Sequence, residues 1–298
     1  MIRCFKMTLP FALFLVAGIG RADKGYFDSD GVQIHYLAQG KGEPVLLIHG
    51  FAANYQYQWI VPGIFQALAK DHLVIAMDVR GHGKSGKPTD PDKYGTEMVE
   101  DAVRLLDHLK IKKAHVVGYS MGALITGKLM VTHPDRVLSA TLGGSAVFPA
   151  GVEQPPFLEK LAQSLEEGKG MGPLLGAMSP SGKENPSSSR ANYLNKLLVG
   201  DNGKALAAVV RSWRKLGVSK EQLKANKVPA LALFGSKDPL KESIDIIKED
   251  MENLKVVMID GKDHLGAYSS PQFTREIRKF LAENSQKKKK TKERAESR

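Results

Sequence analysis

The chain predicts an α/β protein: a mostly parallel, eight-stranded sheet flanked by helices, with a helical cap inserted late in the chain. Three observations predict it. Short apolar runs of β-type residues alternate with amphipathic stretches over residues 23–147, a rhythm that only crossover connections between parallel strands satisfy. The rhythm stops over 148–226, where helix-like patches stand between Gly- and Ser-rich joints, and it resumes over 227–284.

Taken in order, residues 26–28 and 32–36 read as two short strands joined by Ser29-Asp30-Gly31, since Asp-Gly between alternating residues is a hairpin signal. Residues 44–50 and 72–78 are continuous apolar runs, as expected of strands covered on both faces. Between them, Trp59, Ile60, Ile64, Phe65 and Leu68 recur at helical spacing and predict one helix over 56–70. Residues 96–109 carry an apolar stripe of Val99, Ala102, Val103, Leu105, Leu106 and Leu109. A strand over 114–117 leads directly into a helix, and another strand follows at 137–142. In the insertion, helical patches fall at 156–167, 189–199 and 204–216, with no strand-like run. The core then predicts strands at 229–235 and 254–260 and helices at 242–251 and 271–283.

The ends differ from the body. Arg3 and Lys6 precede an apolar run from Leu9 to Ile19 and small residues up to Ala22, the order of a secretory signal peptide over 1–22, which implies export. The single cysteine, Cys4, falls inside that segment, so the exported body would need neither disulfides nor a reducing compartment. Of the formal charge of +11, most lies at the ends: residues 1–22 hold three basic residues and no acidic one, and 287–298 hold seven basic against two acidic. The basic segment 285–298 reads as a solvated tail with weak attraction to anionic surfaces rather than a specific nucleic-acid element. Oligomeric state is not readable.

The chemistry centres on Gly118-Tyr119-Ser120-Met121-Gly122, placed where a strand must become a helix within a residue or two. Glycines flanking such a bend leave Ser120 alone at its tip, as a nucleophile requires. A serine hydroxyl needs a base, and the base needs a carboxylate to orient it. His264, just past the last strand, stands at the sheet's carboxyl edge; His49 and His82 occupy other edge loops, while His35, His72, His108, His115 and His133 fall in or beside regular elements. Asp238, after the strand ending Leu233-Phe234-Gly235, is the acid, with Asp260 and Asp263 as rivals. The Met121 amide and the Phe51 amide, in His49-Gly50-Phe51, are the expected oxyanion donors. No dinucleotide fingerprint, phosphate loop or Cys/His metal spacing occurs, so no cofactor and no metal is implied.

From about Tyr26 to Leu281 the chain resembles the α/β-hydrolase superfamily. The resemblance is carried by His49-Gly50-Phe51, the loop Asp78-Val79-Arg80-Gly81-His82-Gly83-Lys84-Ser85, the elbow at Ser120, the acid loop 235–238 and His264 before a terminal helix. It implies a serine hydrolase with a cap inserted after the sixth strand, acting on a small ester-type substrate. Epoxide hydrolases and haloalkane dehalogenases of this fold carry aspartate at the elbow, so Ser120 implies esters, lactones, thioesters or diketones instead. A lactonase, a carbon–carbon bond hydrolase or a low-turnover ligand-binding protein are the alternative readings. Tyr119, Phe148, Phe157, Leu174, Leu175, Tyr193 and Trp213 are candidates for the apolar lining.

Overall fold

The computed structural model describes residues 22–178, 193 and 195–286. Residues 1–21 of the expected signal segment, the tail 287–298 and the first part of the patch at 189–199 lie outside the described residues.

Eight strands form one sheet: β1 (Asp23–Ser29), β2 (Val32–Gly40), β3 (Pro44–Ile48), β4 (Leu73–Met77), β5 (Ala114–Tyr119), β6 (Val137–Gly143), and, beyond the insertion, Ala230–Gly235 and Leu254–Ile259. In the insertion two further strands, β7 (Phe148–Pro149) and β8 (Gly217–Val218), pair with each other in parallel, so the two late core strands are β9 and β10. The sheet order is β1-β2-β4-β3-β5-β6-β9-β10; only β1–β2 and β2–β4 pair antiparallel. At the first hairpin both Asp30 and Gly31 have positive φ, 56° and 77°, the backbone that a two-residue hairpin turn demands.

Strand alternation divides the interior in two. Leu46, Ile48, Ile75, Met77 and Val116 face a core shared with α2 (Thr96–His108) and α3 (Met121–Thr132). Val45, Leu47, Val74, Ala76, Val117 and Leu233 face a second core closed by α1 (Ile64–Leu68) and the terminal helix Pro271–Glu283. Helix α3 is buried on nearly every side, which explains why its sequence shows no polar face.

The expected helix over 56–70 is two elements. Gln56–Ile60 is a π-helical turn, and α1 starts only at Ile64, because Pro62 and Gly63, the latter at φ 79°, interrupt the chain between them. The helix expected over 242–251 is likewise a 3₁₀ turn at Lys241–Ile244 followed by a single α-turn, Asp245–Lys248. The insertion holds α4 (Pro156–Glu166), α5 (Gly172–Met178), a π-helical turn at Asn195–Val199, α6 (Gly203–Ser212) and α7 (Lys220–Ala225). Contrary to the sequence expectation it does contain strand, the β7–β8 ladder, too short at two residues each to leave a periodic signal. With Asp245–Lys248 as α8, the last helices are α9 (His264–Tyr268) and α10 (Pro271–Glu283).

Candidate active site

The sheet order β4-β3-β5 makes the crossover direction reverse between β3 and β5, and open α/β sheets place their ligands at the carboxyl ends of strands at such a point. Ser120 lies there, between β5 and α3, with φ 55° and ψ −117°, a region that a residue with a side chain occupies only under strain. The surroundings enforce it. A Cβ added at Gly118 would stand 2.1 Å from the Gly122 carbonyl oxygen, and one at Gly122 would stand 2.1 Å from that of Ile48. Strand, elbow and β3 therefore approach to a distance that only glycine allows at both positions.

His264 Nε2 is 3.1 Å from Ser120 Oγ, and His264 Nδ1 is 2.9 Å from Asp238 Oδ2. The second carboxylate oxygen, Asp238 Oδ1, accepts the Leu240 N–H at 2.9 Å, so the turn after β9 holds this carboxylate. His264 and Asp238 are both buried, while Ser120 is partly open. The rivals are engaged elsewhere. Asp263 caps α9 by accepting from the Gly266 N–H at 2.7 Å, and Asp260 accepts from Ser236 Oγ at 3.2 Å. His264 is thus the first residue of a short capped helix rather than a loop residue. Tyr119, next to Ser120, donates its hydroxyl to the His264 carbonyl and packs against Tyr268 and Phe273. Burial, with the Asp238 charge nearby, pushes the Tyr119 hydroxyl well up and keeps it in the donating form.

Gly50 abuts Ser120, since a Cβ there would lie 3.3 Å from Ser120 Cβ. Its carbonyl accepts from His49 Nδ1 at 2.7 Å and from the Ala53 N–H at 3.3 Å. The planar peptide then directs the Phe51 N–H the opposite way. Neither the Phe51 nor the Met121 amide donates to another group among the described residues; Met121 opens α3, where helix amides lack intrahelical acceptors. His49 itself accepts the Val79 N–H on Nε2 at 3.0 Å, and burial holds its pKa below the usual imidazole value. It serves as a wholly internal strut between two loops.

One contributor escaped the sequence reading, and a second was read there only as part of a motif. Gln58, buried in the π-helical turn, accepts the Gly50 N–H on Oε1 at 3.2 Å. Nothing in its spacing distinguishes it from the neighbouring helix-like residues. Asp78 gathers the loop that follows β4: its carboxylate accepts from the Tyr55 and Lys84 amides at 3.0 and 2.9 Å and meets His35 Nδ1 at 2.9 Å. A Cβ at Gly83 would stand 2.3 Å from that carboxyl group. Arg80 leaves the loop in the other direction, its guanidinium forked on buried Asp101 at 2.7 and 2.6 Å. These bonds give the Asp-x-Arg-Gly-x-Gly pattern a mechanical meaning.

Of the lining candidates, Trp213 stands edge-on to Phe51 with ring centres 5.3 Å apart. Tyr119 is a core residue behind His264, and Tyr193 is exposed. Phe148, Phe157, Leu174 and Leu175 are half-buried against the core that includes α6. Among the described residues no group of three or more His, Cys, Asp and Glu is placed to hold a metal ion, and no helix is long and apolar enough to cross a membrane.

Residues 43–169 match the model of a family described as alpha/beta hydrolase fold. The chain is 38% identical over 121 residues to a dihydrolipoyllysine-residue acetyltransferase component of the acetoin cleaving system from Cupriavidus necator, covering 39% of this chain and 30% of that protein. It is 36% identical over 120 residues to a 2-hydroxymuconate semialdehyde hydrolase from a Pseudomonas species, covering 39% and 41%. The matched segments thus span less than half the length of these curated relatives. A solved structure of a hydrolase from Pseudomonas aeruginosa superposes with a TM-score of 0.71 over 87% of this chain and 98% of that one at 21% identity, a likeness of fold. The family match over residues 43–169, the sheet order and the strand–turn–helix that bears Ser120 together show that this chain has the α/β-hydrolase fold.

Proposed function

We propose that the protein is a serine hydrolase acting on carboxylic esters through an acyl-enzyme. The observation that carries this reading is the hydrogen-bonded run from Ser120 Oγ through His264 to Asp238, at 3.1 and 2.9 Å. With its proton on Nδ1, held by the carboxylate, the imidazole presents a bare Nε2 to the serine hydroxyl. His264 takes the Ser120 proton as Oγ attacks the ester carbonyl, and the Phe51 and Met121 amides receive the oxyanion. His264 then returns the proton to the departing alcohol. In the second half it takes a proton from water as that water attacks the acyl carbonyl, then gives the proton to Ser120 Oγ as the acyl–oxygen bond breaks and the carboxylic acid leaves.

Ser120→Ala is expected to lower kcat on p-nitrophenyl butyrate by about 10⁴-fold or more and to abolish labelling by a fluorophosphonate. Unchanged turnover in that variant sinks the reading. A second reading, cleavage of a carbon–carbon bond next to a carbonyl, is supported by the 36% identity to the 2-hydroxymuconate semialdehyde hydrolase. Lactones and vinylogous diketones assayed beside the esters separate the two by kcat/KM.

A further inference from the structure

Buried polar atoms without partners are few in native proteins, and here two of them flank one ring at the site. His82 is 1% exposed and Trp213 is 7% exposed. His82 Nδ1 is 3.0 Å from the Arg80 carbonyl, to which it donates, so Nε2 is left as an acceptor. Neither His82 Nε2 nor the Trp213 indole Nε1–H has a hydrogen-bond partner among the described residues. Both rings meet Phe51 edge-on, with centres 5.7 Å from His82 and 5.3 Å from Trp213. Phe51 is the residue whose amide faces the reacting carbonyl in the proposed mechanism. The cap is seated at the same place: Asn202 Nδ2 donates to the Gly81 carbonyl, and a Cβ at Gly81 would stand 3.0 Å from Val209 Cγ2.

We propose that His82 and Trp213 form a recognition pair for a substrate hydroxyl, so that the preferred ester carries a hydroxyl group within a few bonds of its carbonyl. This rests on the ester-hydrolase reading and names its substrate class. The chemistry of the pair selects the group. One atom only accepts and the other only donates, and a hydroxyl is the small group that can answer either. A carboxylate would face the bare lone pair of His82, and an ammonium would leave the indole N–H unanswered. Burial pushes His82 down to about 3, so it keeps its accepting form at neutral pH.

The test compares matched pairs: p-nitrophenyl 2- and 3-hydroxybutyrate against the butyrate, and 2-hydroxypropyl butyrate against propyl butyrate. The two sets distinguish a hydroxyl on the acyl side from one on the alcohol side. The wild-type protein is expected to favour at least one hydroxy ester by about 10-fold or more in kcat/KM, since a site that hydrogen-bonds a substrate hydroxyl discriminates against the analogue lacking it. Trp213→Phe removes the indole donor and keeps most of the ring. His82→Asn keeps a donor for the Arg80 carbonyl and removes Nε2. Each is expected to cut the hydroxy-to-plain ratio by about 10-fold. Ser120 that labels with a fluorophosphonate in a protein showing no preference for any hydroxy ester overturns this inference alone. A preference that survives both substitutions also overturns it, because the pair is then satisfied by water or turned from the substrate. Failure of Ser120 to label, with no turnover of any ester, overturns the ester-hydrolase reading and this one with it.

Discussion

Gln58 Oε1 accepts the backbone N–H of Gly50 at 3.2 Å, and Gly50 stands against Ser120 with no room for more than a close Cβ contact. The side chain of a π-helical turn therefore fixes the peptide that precedes the Phe51 amide. Gln58→Met keeps the length and removes the acceptor. We expect kcat on a short-chain ester to fall by about 10-fold with KM changed less than about 2-fold, since a mispointed oxyanion donor costs part of the 10²–10³ that loss of one donor costs. Equal loss in kcat and gain in KM would assign Gln58 to substrate binding instead.

Gly122→Ala tests the elbow. Its Cβ would lie 2.1 Å from the Ile48 carbonyl oxygen, a backbone atom that cannot swing away. The substitution must separate β3 from α3, and we expect about 3 kcal/mol or more of lost stability together with loss of activity. Ala123→Gly, one residue on in the same buried helix, is the contrast, costing only the helical propensity difference of about 1 kcal/mol plus a lost methyl contact. Urea unfolding followed by circular dichroism reads both.

The Arg80–Asp101 fork is fully internal, with Ser29 Oγ also donating to the Asp101 carboxylate. Breaking a buried pair leaves an uncompensated charge, so Asp101→Ala is expected to cost about 3–5 kcal/mol. Arg80→Met combined with Asp101→Leu is expected to recover a large part of that loss. A double variant no more stable than Asp101→Ala would show that the charges themselves hold the hairpin, α2 and the post-β4 loop together.

Acid should weaken the fold through its buried neutral histidines. Desolvation lowers His82 to about 3 against an ordinary 6.5, and it lowers His49 in the same direction. A depressed histidine pKa means that the unfolded chain takes up the proton first. The stability is complete above pH 6.5 and drains as the pH falls toward 3, at up to about 1.4 kcal/mol per pH unit for each such group. His82→Asn is expected to flatten the fall in unfolding free energy between pH 7 and 5. An unchanged slope would remove His82 from the acid response.

The terminal helix was legible to the residue, Pro271–Glu283, because Ser270 caps it, Pro271 opens it and its apolar face repeats at helical spacing. The buried strands were legible because apolar runs between turns leave few alternatives. Ser120, Asp238 and His264 could be picked out by the roles a serine nucleophile needs, and the structure brings their side chains into one hydrogen-bonded run. What periodicity does not encode is where a helix breaks. Pro62-Gly63 was a visible stop signal inside an otherwise helical pattern, whereas the π turn before it depends on tertiary fit. Gln58 and the bare faces of His82 and Trp213 were silent for a similar reason: a partner, or the want of one, is a property of the folded neighbourhood.

The β7–β8 ladder joins Phe148 to Gly217 and Pro149 to Val218, so the chain leaves the core and returns to it at adjacent positions. Because the two strands run parallel, the connection between them is one crossover that begins and ends beside the same ladder. Ser120, Asp238 and His264 all stand outside that crossover, on elements anchored in the sheet. The segment between β7 and β8 is therefore a cassette, joined to the core at two neighbouring splice points where its length can change while Ser120, Asp238 and His264 keep their spacing.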